Sequence, residues 1–266
     1  MRALKISRKN LGIPYALFLI IFVLLPLIII AYYAFTNSEG HFSLSNFGLI
    51  FSDMTVLSGI LTSLSVAILT TVSCLFIGDP VAYILARSNL KYGTTLLILF
   101  ITPMWINFVL RMNSLKEFFS LVGLLDKAPL LNTVIGMVYD FLPFMILPLY
   151  TTLSKLNGNM IEASYDLGAN KVTTFLKVVL PLSMPGIVSG ITMVFMPTMT
   201  NYVVSEILGR GQITILGKLI ESYFMHSNWN MGAAVSTLLL AVMFLFTGLT
   251  GGFKDEENNA RGTGLW

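Results

Sequence analysis

The sequence predicts an all-α, polytopic membrane protein with six transmembrane helices, and three observations support this prediction. Hydrophobic residues make up 55% of the 266-residue chain. Charged residues make up only 11%, whereas a soluble domain carries about a quarter, and the mean hydropathy is +0.80. No stretch of mixed charge is long enough to fold as a separate soluble domain. We therefore expect a single transmembrane domain over residues 1–266.

Six apolar blocks are long enough to cross about 30 Å of hydrocarbon, which takes roughly 20 helical residues. They lie near 12–35, 57–87, 93–111, 131–154, 184–208 and 231–252. The first block follows four basic residues, but it is too long for a signal peptide and no small-residue cleavage site ends it. It is therefore expected to remain as a helix.

Prolines and small residues indicate how these helices pack. Four consecutive spans contain interior prolines, and each proline frees a backbone carbonyl that protein or water must satisfy, which favours a bundle that lines a pathway. Gly186 and Gly190 form a small-xxx-small pair in the fifth span. This pair predicts close helix packing.

The distribution of basic residues predicts the orientation in the membrane. Six spans place both termini on one side, and the side richer in Lys and Arg is cytoplasmic. Eleven of the 16 basic residues lie on the terminal side: Arg2, Lys5, Arg8, Lys9, Arg87, Lys91, Lys155, Lys171, Lys177, Lys254 and Arg261. The termini and the loops 88–92 and 155–183 are therefore expected in the cytoplasm, and segments 36–56, 112–130 and 209–230 outside.

Other residue types exclude several classes of function. Cys74 is the only cysteine, so the chain has no intrachain disulfide and no cysteine-based metal site. The two histidines are far apart, and the net charge of +3 is too weak and scattered to indicate a nucleic-acid partner. No nucleophile is paired with a base, so we expect no metal site, no catalytic residues and no enzymatic activity.

The cytoplasmic loop 155–183 has the pattern of a helix–turn–helix. Asn159 can cap a helix whose first turn carries Glu162, and Gly168 can end that helix. A second short helix is expected from about residue 171 to 179, before Pro181. The loop is too apolar for a purely solvated segment, so we expect it to dock on a cytoplasmic partner.

One motif in this loop resembles a known family. Glu162-Ala163-Ser164, then Gly168 after three residues, then Val178-Val179-Leu180-Pro181 after nine more, are similar to the EAA motif of ATP-binding-cassette importer permeases, with Ser and Val in place of the usual Ala and Ile. The resemblance implies the type I (MetI-like) permease fold. It also implies that the loop is a coupling helix, inserted into a cleft of a separate ATP-hydrolysing subunit. The residues implied in this contact are Glu162, Ala163, Ser164, Asp166 and Gly168.

The chain has no ATP site of its own. The segment from Gly211 to Lys218 has five residues between its glycines where a phosphate loop needs four, and Leu219 stands where Ser or Thr should. We expect no cofactor in this chain, with ATP and Mg bound by the partner ATPase. The resemblance further implies a homologous second permease subunit, a homodimeric cytoplasmic ATPase, an extracytoplasmic binding protein and a location in the lipid of the bacterial inner (plasma) membrane.

Further landmarks resemble the B-type permease subunits of spermidine/putrescine importers. They are Gly78-Asp79-Pro80, Thr102-Pro103-Met104-Trp105, Leu142-Pro143-Phe144, Ser183-Met184-Pro185-Gly186-Ile187 and Trp229-Asn230-Met231-Gly232. They extend from the second span to the sixth and imply a polyamine substrate, which an extracytoplasmic polyamine-binding protein would deliver. Charge and aromatic content do not separate putrescine from spermidine.

Carboxylates, hydroxyls and aromatic rings within the spans form a set that suits an ammonium ligand. The predicted pathway residues are Trp105, Asn107, Asp140, Thr198, Asn201, Tyr202 and Glu206. Each has a structural alternative: Asp140 can be a buried acid paired within the bundle, and Trp105 an interfacial or core aromatic. Arg111 is interpreted as an interfacial anchor or a partner for an acid of the binding protein.

Two alternative functions stay open. One is an importer for another solute, such as thiamine or ferric iron, although an anion is disfavoured because no Lys or Arg lies inside the predicted spans. The other is a secondary transporter that uses Asp140 or Glu206 as a proton relay. The second alternative explains the acids but not the coupling loop.

Overall fold

The computed structural model describes residues 8–37, 39–87 and 93–250, which fold almost entirely into helices. The helices are α1 (Arg8–Leu19), α2 (Leu25–Ala34), α3 (Ser45–Ser52), α4 (Met54–Arg87), α5 (Gly93–Ile101), α6 (Phe108–Leu121), α7 (Pro129–Lys155), α8 (Gly158–Asp166), α9 (Lys171–Thr174), α10 (Leu180–Leu182), α11 (Met184–Thr200), α12 (Tyr202–Leu208), α13 (Leu216–Met225) and α14 (Trp229–Thr250). Single π turns lie at Ile20–Leu24 and Phe175–Val179, and a 3-10 turn at Thr102–Trp105. Within these ranges there is no β-strand, and the β-type pairing consists of one isolated antiparallel bridge between Thr36 and Phe42.

Four helical segments are long and apolar enough to cross a membrane: Gly12–Ala34, Met54–Arg87, Pro129–Lys155 and Trp229–Thr250. Two further segments are bent. Gly93–Trp105 meets Phe108–Leu121 at 96°, and Lys171–Leu182 meets Met184–Thr200 at 69°. If each bent pair is one span, the described part of the chain has up to six spans. The predicted all-helical, multi-pass fold is therefore confirmed.

The bend in the third predicted block, 93–111, has a local cause. Pro103 lies in the 3-10 turn that ends α5, where it has no N–H to continue the helical ladder. A new helix then begins with Asn107 as its cap, because the Asn107 side chain accepts hydrogen bonds from the backbone N–H groups of Val109 and Leu110. The fifth predicted block, 184–208, is likewise interrupted at Asn201, between α11 and α12.

The described residues divide into two compact units, the first comprising 8–37, 39–58 and 219–242 and the second comprising 59–87, 93–218 and 243–250. In the first unit two asparagine amides hold the segment after α2. Asn230 Nδ2 donates to the carbonyls of Thr36 (2.7 Å) and Tyr33 (3.1 Å). Asn46 Nδ2 donates to those of Thr36 (2.8 Å) and Ala34 (3.1 Å). These bonds fix the end of α2 against the start of α14.

In the second unit α7 packs tightly against α11, at the two glycines that the sequence indicated. A Cβ on Gly186 would lie 2.7 Å from Thr152 Oγ1 and 2.9 Å from the Pro148 carbonyl oxygen. A Cβ on Gly190 would lie 2.6 Å from the sulfur of Met145. The predicted close packing through this pair is confirmed, because a larger side chain at either position would press directly against α7.

Candidate functional site

The predicted helix–turn–helix in the loop 155–183 is confirmed as α8 and α9, which the π turn after α9 continues. The position of its cap is corrected. Asn157, and not Asn159, precedes the helix, and its side-chain oxygen accepts a hydrogen bond from the Asn159 N–H at 3.0 Å. Two asparagines in close succession both suit a cap, and the backbone after α7 selects the first.

The turn between α8 and α9 depends on Gly168. Its φ is +81°, a left-handed conformation that side chains with a Cβ adopt only at a cost. The Gly168 N–H donates to the Tyr165 carbonyl at 2.8 Å, and the Ala169 N–H to that of Ser164 at 3.0 Å. Asn170 then caps α9 through the N–H of Thr173. The hairpin is therefore closed by backbone bonds at its turn.

The residues of the EAA-like motif have different surroundings in the hairpin. Glu162, Ala163 and Asp166 are exposed, and Leu167 is 89% exposed. We call these four residues the coupling surface. Ser164 is buried instead: its hydroxyl donates to the Ile161 carbonyl (2.8 Å) and hydrogen bonds with the Thr174 hydroxyl (2.8 Å). Ser164 thus joins α8 to α9 and does not lie on the exposed face.

The hairpin contacts the end of α4 at two points. Arg87 Nη2 donates to the carbonyl oxygen of Leu156, just before the hairpin, at 2.7 Å. The ring of Tyr83 meets that of Phe175, just after α9, edge to face at 5.3 Å. Because both ends of the hairpin touch α4, a displacement of the hairpin is passed to more than the two helices that flank it.

The predicted pathway residues of the third and fifth spans lie at helix breaks. Trp105 ends the 3-10 turn and is 89% exposed, and Asn107 caps α6. Thr198 is buried and donates to the Val194 carbonyl at 2.6 Å. Asn201 lies between α11 and α12, where it is partly buried. Asn107 and Thr198 therefore use their polar groups on their own helices.

Asp140, in the middle of α7, forms an ion pair with Arg111 of α6. Their side chains are only 9% and 8% exposed, and the Arg111 guanidinium also lies 5.8 Å from the centroid of the Tyr139 ring. A cavity of about 370 Å³ adjoins Arg111 and Tyr139. Arg111 therefore neutralises a carboxylate of its own chain, and its interpretation as an anchor or as a contact for the binding protein is corrected.

Glu206, on α12, forms a second pair. Both of its carboxylate oxygens lie 3.4 Å from Lys218 Nζ, which is also 5.4 Å from the centroid of the Tyr202 ring. The Lys218 and Glu206 side chains are 38% and 52% exposed. The structure thus brings two predicted pathway residues, Tyr202 and Glu206, together around one ammonium group.

Metal binding has no support in the described part of the chain. Within residues 8–37, 39–87 and 93–250, no group of three or more His, Cys, Asp or Glu side chains is arranged to hold an ion.

Residues 78–253 match the family described as binding-protein-dependent transport system inner membrane component. The chain belongs to this family. The spermidine/putrescine transport system permease protein PotB of Haemophilus influenzae is 36% identical over 249 residues, which cover 85% of this chain and 87% of that protein. PotB of Escherichia coli is also 36% identical over 249 residues, covering 85% and 90%.

Solved transporters share the permease fold. A bacterial ABC transporter that imports the acidic polysaccharide alginate matches with a TM-score of 0.75 at 13% identity, over 92% of this chain and 93% of the matched one. The MetNI methionine ABC transporter matches with a TM-score of 0.57 at 19% identity, over 79% and 97%. The predicted MetI-like permease fold is confirmed, and the protein is a multi-pass inner membrane component of a transport system.

Sequence reasoning missed the basic partners of Asp140 and Glu206. One signal was available for Asp140, because a carboxylate within a span requires a partner and Arg111 is the only basic residue between Lys91 and Lys116. No comparable signal marked Lys218. It follows a turn, and its distance from Glu206 depends on how α13 is placed after α12.

Proposed function

We propose that this permease is one of two transmembrane subunits of an ATP-driven polyamine importer, with a translocation pathway between it and a homologous second subunit. The observation that carries the proposal is 36% identity to spermidine/putrescine permeases over 85% of the chain. An extracytoplasmic polyamine-binding protein delivers the substrate. The family description, which names binding-protein dependence, supports that partner.

The coupling surface supports docking of an ATPase. Two carboxylates, an alanine and an almost fully exposed leucine lie together on a hairpin with a fixed turn, and an exposed apolar residue beside a charge suits a protein interface. A homodimeric ATPase that binds ATP and Mg would contact this surface in each permease subunit. Closure of that ATPase would move the hairpin as a rigid body, and α7, α11 and α4 with it.

The orientation that we propose places both termini and the coupling hairpin in the cytoplasm. The described hairpin region carries three basic residues, as expected for a cytoplasmic segment: Lys155, Lys171 and Lys177. Five of the residues counted for this side, Arg2, Lys5, Lys91, Lys254 and Arg261, lie outside the described residues.

For the pathway we propose Trp105, Asn107, Thr198, Asn201, Tyr202 and Glu206. Tyr202 and Glu206 have the strongest support, because they already surround an ammonium group. The buried pairing of Asp140 with Arg111 favours the structural alternative for Asp140. We therefore assign Asp140 to the packing of α6 against α7.

Uptake by the complete complex tests the substrate and the energy source. The permease, its second subunit, the ATPase and the binding protein are reconstituted in proteoliposomes, and labelled spermidine uptake is measured with ATP on the ATPase side. We expect uptake that requires both ATP and the binding protein. Uptake driven by a proton gradient without ATP, or uptake of thiamine or ferric iron in place of spermidine, would refute the proposal.

Two substitutions in the same helix test the coupling surface. Glu162→Arg reverses an exposed charge that we propose as a hot spot of the interface, and it is expected to reduce the ATPase stimulation by loaded binding protein at least tenfold, because losing a hot-spot contact costs about 2 kcal/mol or more. Ser164→Ala is the matched control. It removes the two hydrogen bonds of the Ser164 hydroxyl, each worth about 1 kcal/mol, but it restores the usual motif residue and leaves the exposed face unchanged, so coupling should persist. Normal stimulation in Glu162→Arg would contradict the assignment.

A further inference from the structure

The ammonium group of Lys218 lies between a carboxylate and an aromatic ring. Its Nζ is at the same distance, 3.4 Å, from both oxygens of Glu206, and 5.4 Å from the centroid of the Tyr202 ring. A carboxylate supplies the opposite charge, and the ring face attracts a cation. These two groups together are a recognition site for a primary ammonium on an alkyl chain.

A lysine side chain has the same chemistry as one end of a linear polyamine: a primary ammonium on a short methylene chain. We infer that Lys218 is an internal stand-in for substrate, whose ammonium occupies a site built by Glu206 and Tyr202 until an incoming alkylammonium displaces it. This inference rests on the proposed function and identifies one binding site of the pathway together with the group that competes for it.

The walls of this site are held in place by packing. Helix α12 lies close to α7, since a Cβ on Gly136 would meet the side chains of Leu208 and, at 3.0 Å, Val204. Glu206 and Tyr202 therefore project from a fixed helix. A site with fixed walls binds a ligand without a large ordering cost.

The backbone that carries Lys218 is fixed as well. The N–H of Leu216 donates to the Ser63 hydroxyl at 2.6 Å. A Cβ on Gly217 would collide with the backbone of Thr200, so the start of α13 lies directly on the end of α11. Only the four-carbon stem of Lys218 has to move for its ammonium to leave the site.

The pair is weak enough to be exchanged. Its nitrogen–oxygen distance of 3.4 Å is longer than the 2.7–2.9 Å of a strong charge-assisted hydrogen bond. The two side chains are 38% and 52% exposed, so water and salt screen their attraction. By contrast, the Arg111 and Asp140 side chains are only 8% and 9% exposed, so their attraction is screened much less by water and salt.

Competition by a tethered ammonium has a measurable consequence. Lys218 occupies the site for part of the time, and substrate can bind only when the site is empty. The apparent affinity for substrate is therefore the intrinsic affinity multiplied by the fraction of time that the site is empty. Removing the lysine should therefore tighten substrate binding. Removing the carboxylate should weaken it, so the two halves of one ion pair are expected to act in opposite directions.

The experiment measures the KM for labelled spermidine in ATP-driven uptake by the complete complex in proteoliposomes. We expect Lys218→Gln to lower the KM about threefold, as a surface ion pair allows, and Glu206→Gln to raise it. Lys218→Arg keeps a cation in the site and should therefore not lower the KM. Lys127→Gln, which removes another exposed lysine, controls for the change in net charge and should also leave the KM unchanged.

The outcomes separate this inference from the proposed function. If the wild-type complex imports no spermidine, the proposed function fails and this inference with it. If the wild type imports spermidine but Lys218→Gln and Glu206→Gln change the KM in the same direction, or leave it unchanged, only the inference is overturned. An equal decrease in KM for Lys127→Gln would also overturn it, since net charge would then explain the effect.

Discussion

Two acid–base pairs in this permease are built from the same kinds of groups but differ in their exposure to solvent. In each, a carboxylate holds a basic side chain that also lies near a tyrosine ring: Asp140 with Arg111 and Tyr139, and Glu206 with Lys218 and Tyr202. The first pair is almost fully buried and the second is half exposed. A buried charge cannot lose its partner without a large penalty, whereas an exposed one can exchange it for water or for another cation.

The comparison teaches that a carboxylate within a transporter is not by itself a substrate ligand. A guanidinium presents five donors in a rigid fork, and it suits a permanent buried pair. A lysine ammonium is a compact charge on a flexible stem, which suits a pair that opens. The choice of Arg in one pair and Lys in the other therefore matches the roles that their burial indicates.

The largest effect is expected from breaking the buried pair. Arg111→Gln leaves the Asp140 carboxylate without a counter-charge and should lower the free energy of unfolding by about 3–5 kcal/mol. Glu206→Gln should lower it by less than about 1 kcal/mol. The two losses of stability are compared by thermal unfolding of both variants in detergent. Similar unfolding midpoints for the two variants would show that burial does not distinguish the pairs.

A smaller effect is expected on transport from the exposed pair. Glu206→Gln removes the charge that binds an ammonium, and a hydrogen bond to a charged group is worth about 1.5–3 kcal/mol, so the KM for spermidine should rise about tenfold or more. Glu117→Gln is the matched control, since Glu117 is another exposed carboxylate. A wild-type KM in the Glu206 variant would remove this residue from the pathway.

The smallest effect is expected from a partly exposed carboxylate, Asp53. It accepts a hydrogen bond from the Thr55 N–H at 2.8 Å, and this backbone bond holds the pKa of Asp53 below its ordinary value of 3.8. Because the pKa is lowered in the folded protein, the charge stabilises the fold above that value, and the contribution is lost as pH falls through the folded-state pKa.

The corresponding measurement is the thermal midpoint of Asp53→Ala against wild type at several pH values. The variant should have a slightly lower thermal midpoint than the wild type at neutral pH. The difference between the two midpoints should shrink below about pH 4, where the carboxyl of the unfolded chain becomes protonated. A difference that grows on acidification would contradict the assigned direction of the pKa. The pKa of Tyr223 provides a second measurement. Burial raises this pKa first and the nearby charge of Asp53 raises it further, so the pKa of Tyr223 should fall in Asp53→Ala.

Most of the fold could be predicted from the sequence because apolar length and composition determine which segments cross a membrane. The coupling hairpin could also be predicted, since its glycine and its motif are local in sequence, although the first of two neighbouring asparagines and not the second caps α8. Helix breaks were harder: the proline before Asn107 was visible, but whether it kinks a span or ends it depends on what satisfies the freed backbone groups. Here the Asn107 side chain accepts hydrogen bonds from two N–H groups at the start of α6, which lets a new helix begin after the break.

The pairing of the acids could not be predicted because it depends on tertiary packing. Arg111 and Asp140 belong to two helices joined by a turn, and their contact is set by how α6 folds back on α7. Lys218 reaches Glu206 only because Gly217 allows α13 to lie on the backbone of Thr200. Ser164 is a second example, in the hairpin. The motif identified Ser164 as one of its residues, but it did not predict that its hydroxyl points inward, toward Ile161 and Thr174.

One measurement tests the division between the two pairs most directly: the spermidine dependence of ATP-driven uptake by two neutralised double variants. The account predicts that Arg111→Gln/Asp140→Asn keeps the wild-type KM, because a neutral buried pair replaces a charged one without touching substrate. It predicts that Glu206→Gln/Lys218→Gln raises the KM several-fold, because the ammonium site loses its carboxylate. A raised KM in the first variant together with an unchanged KM in the second would contradict the account.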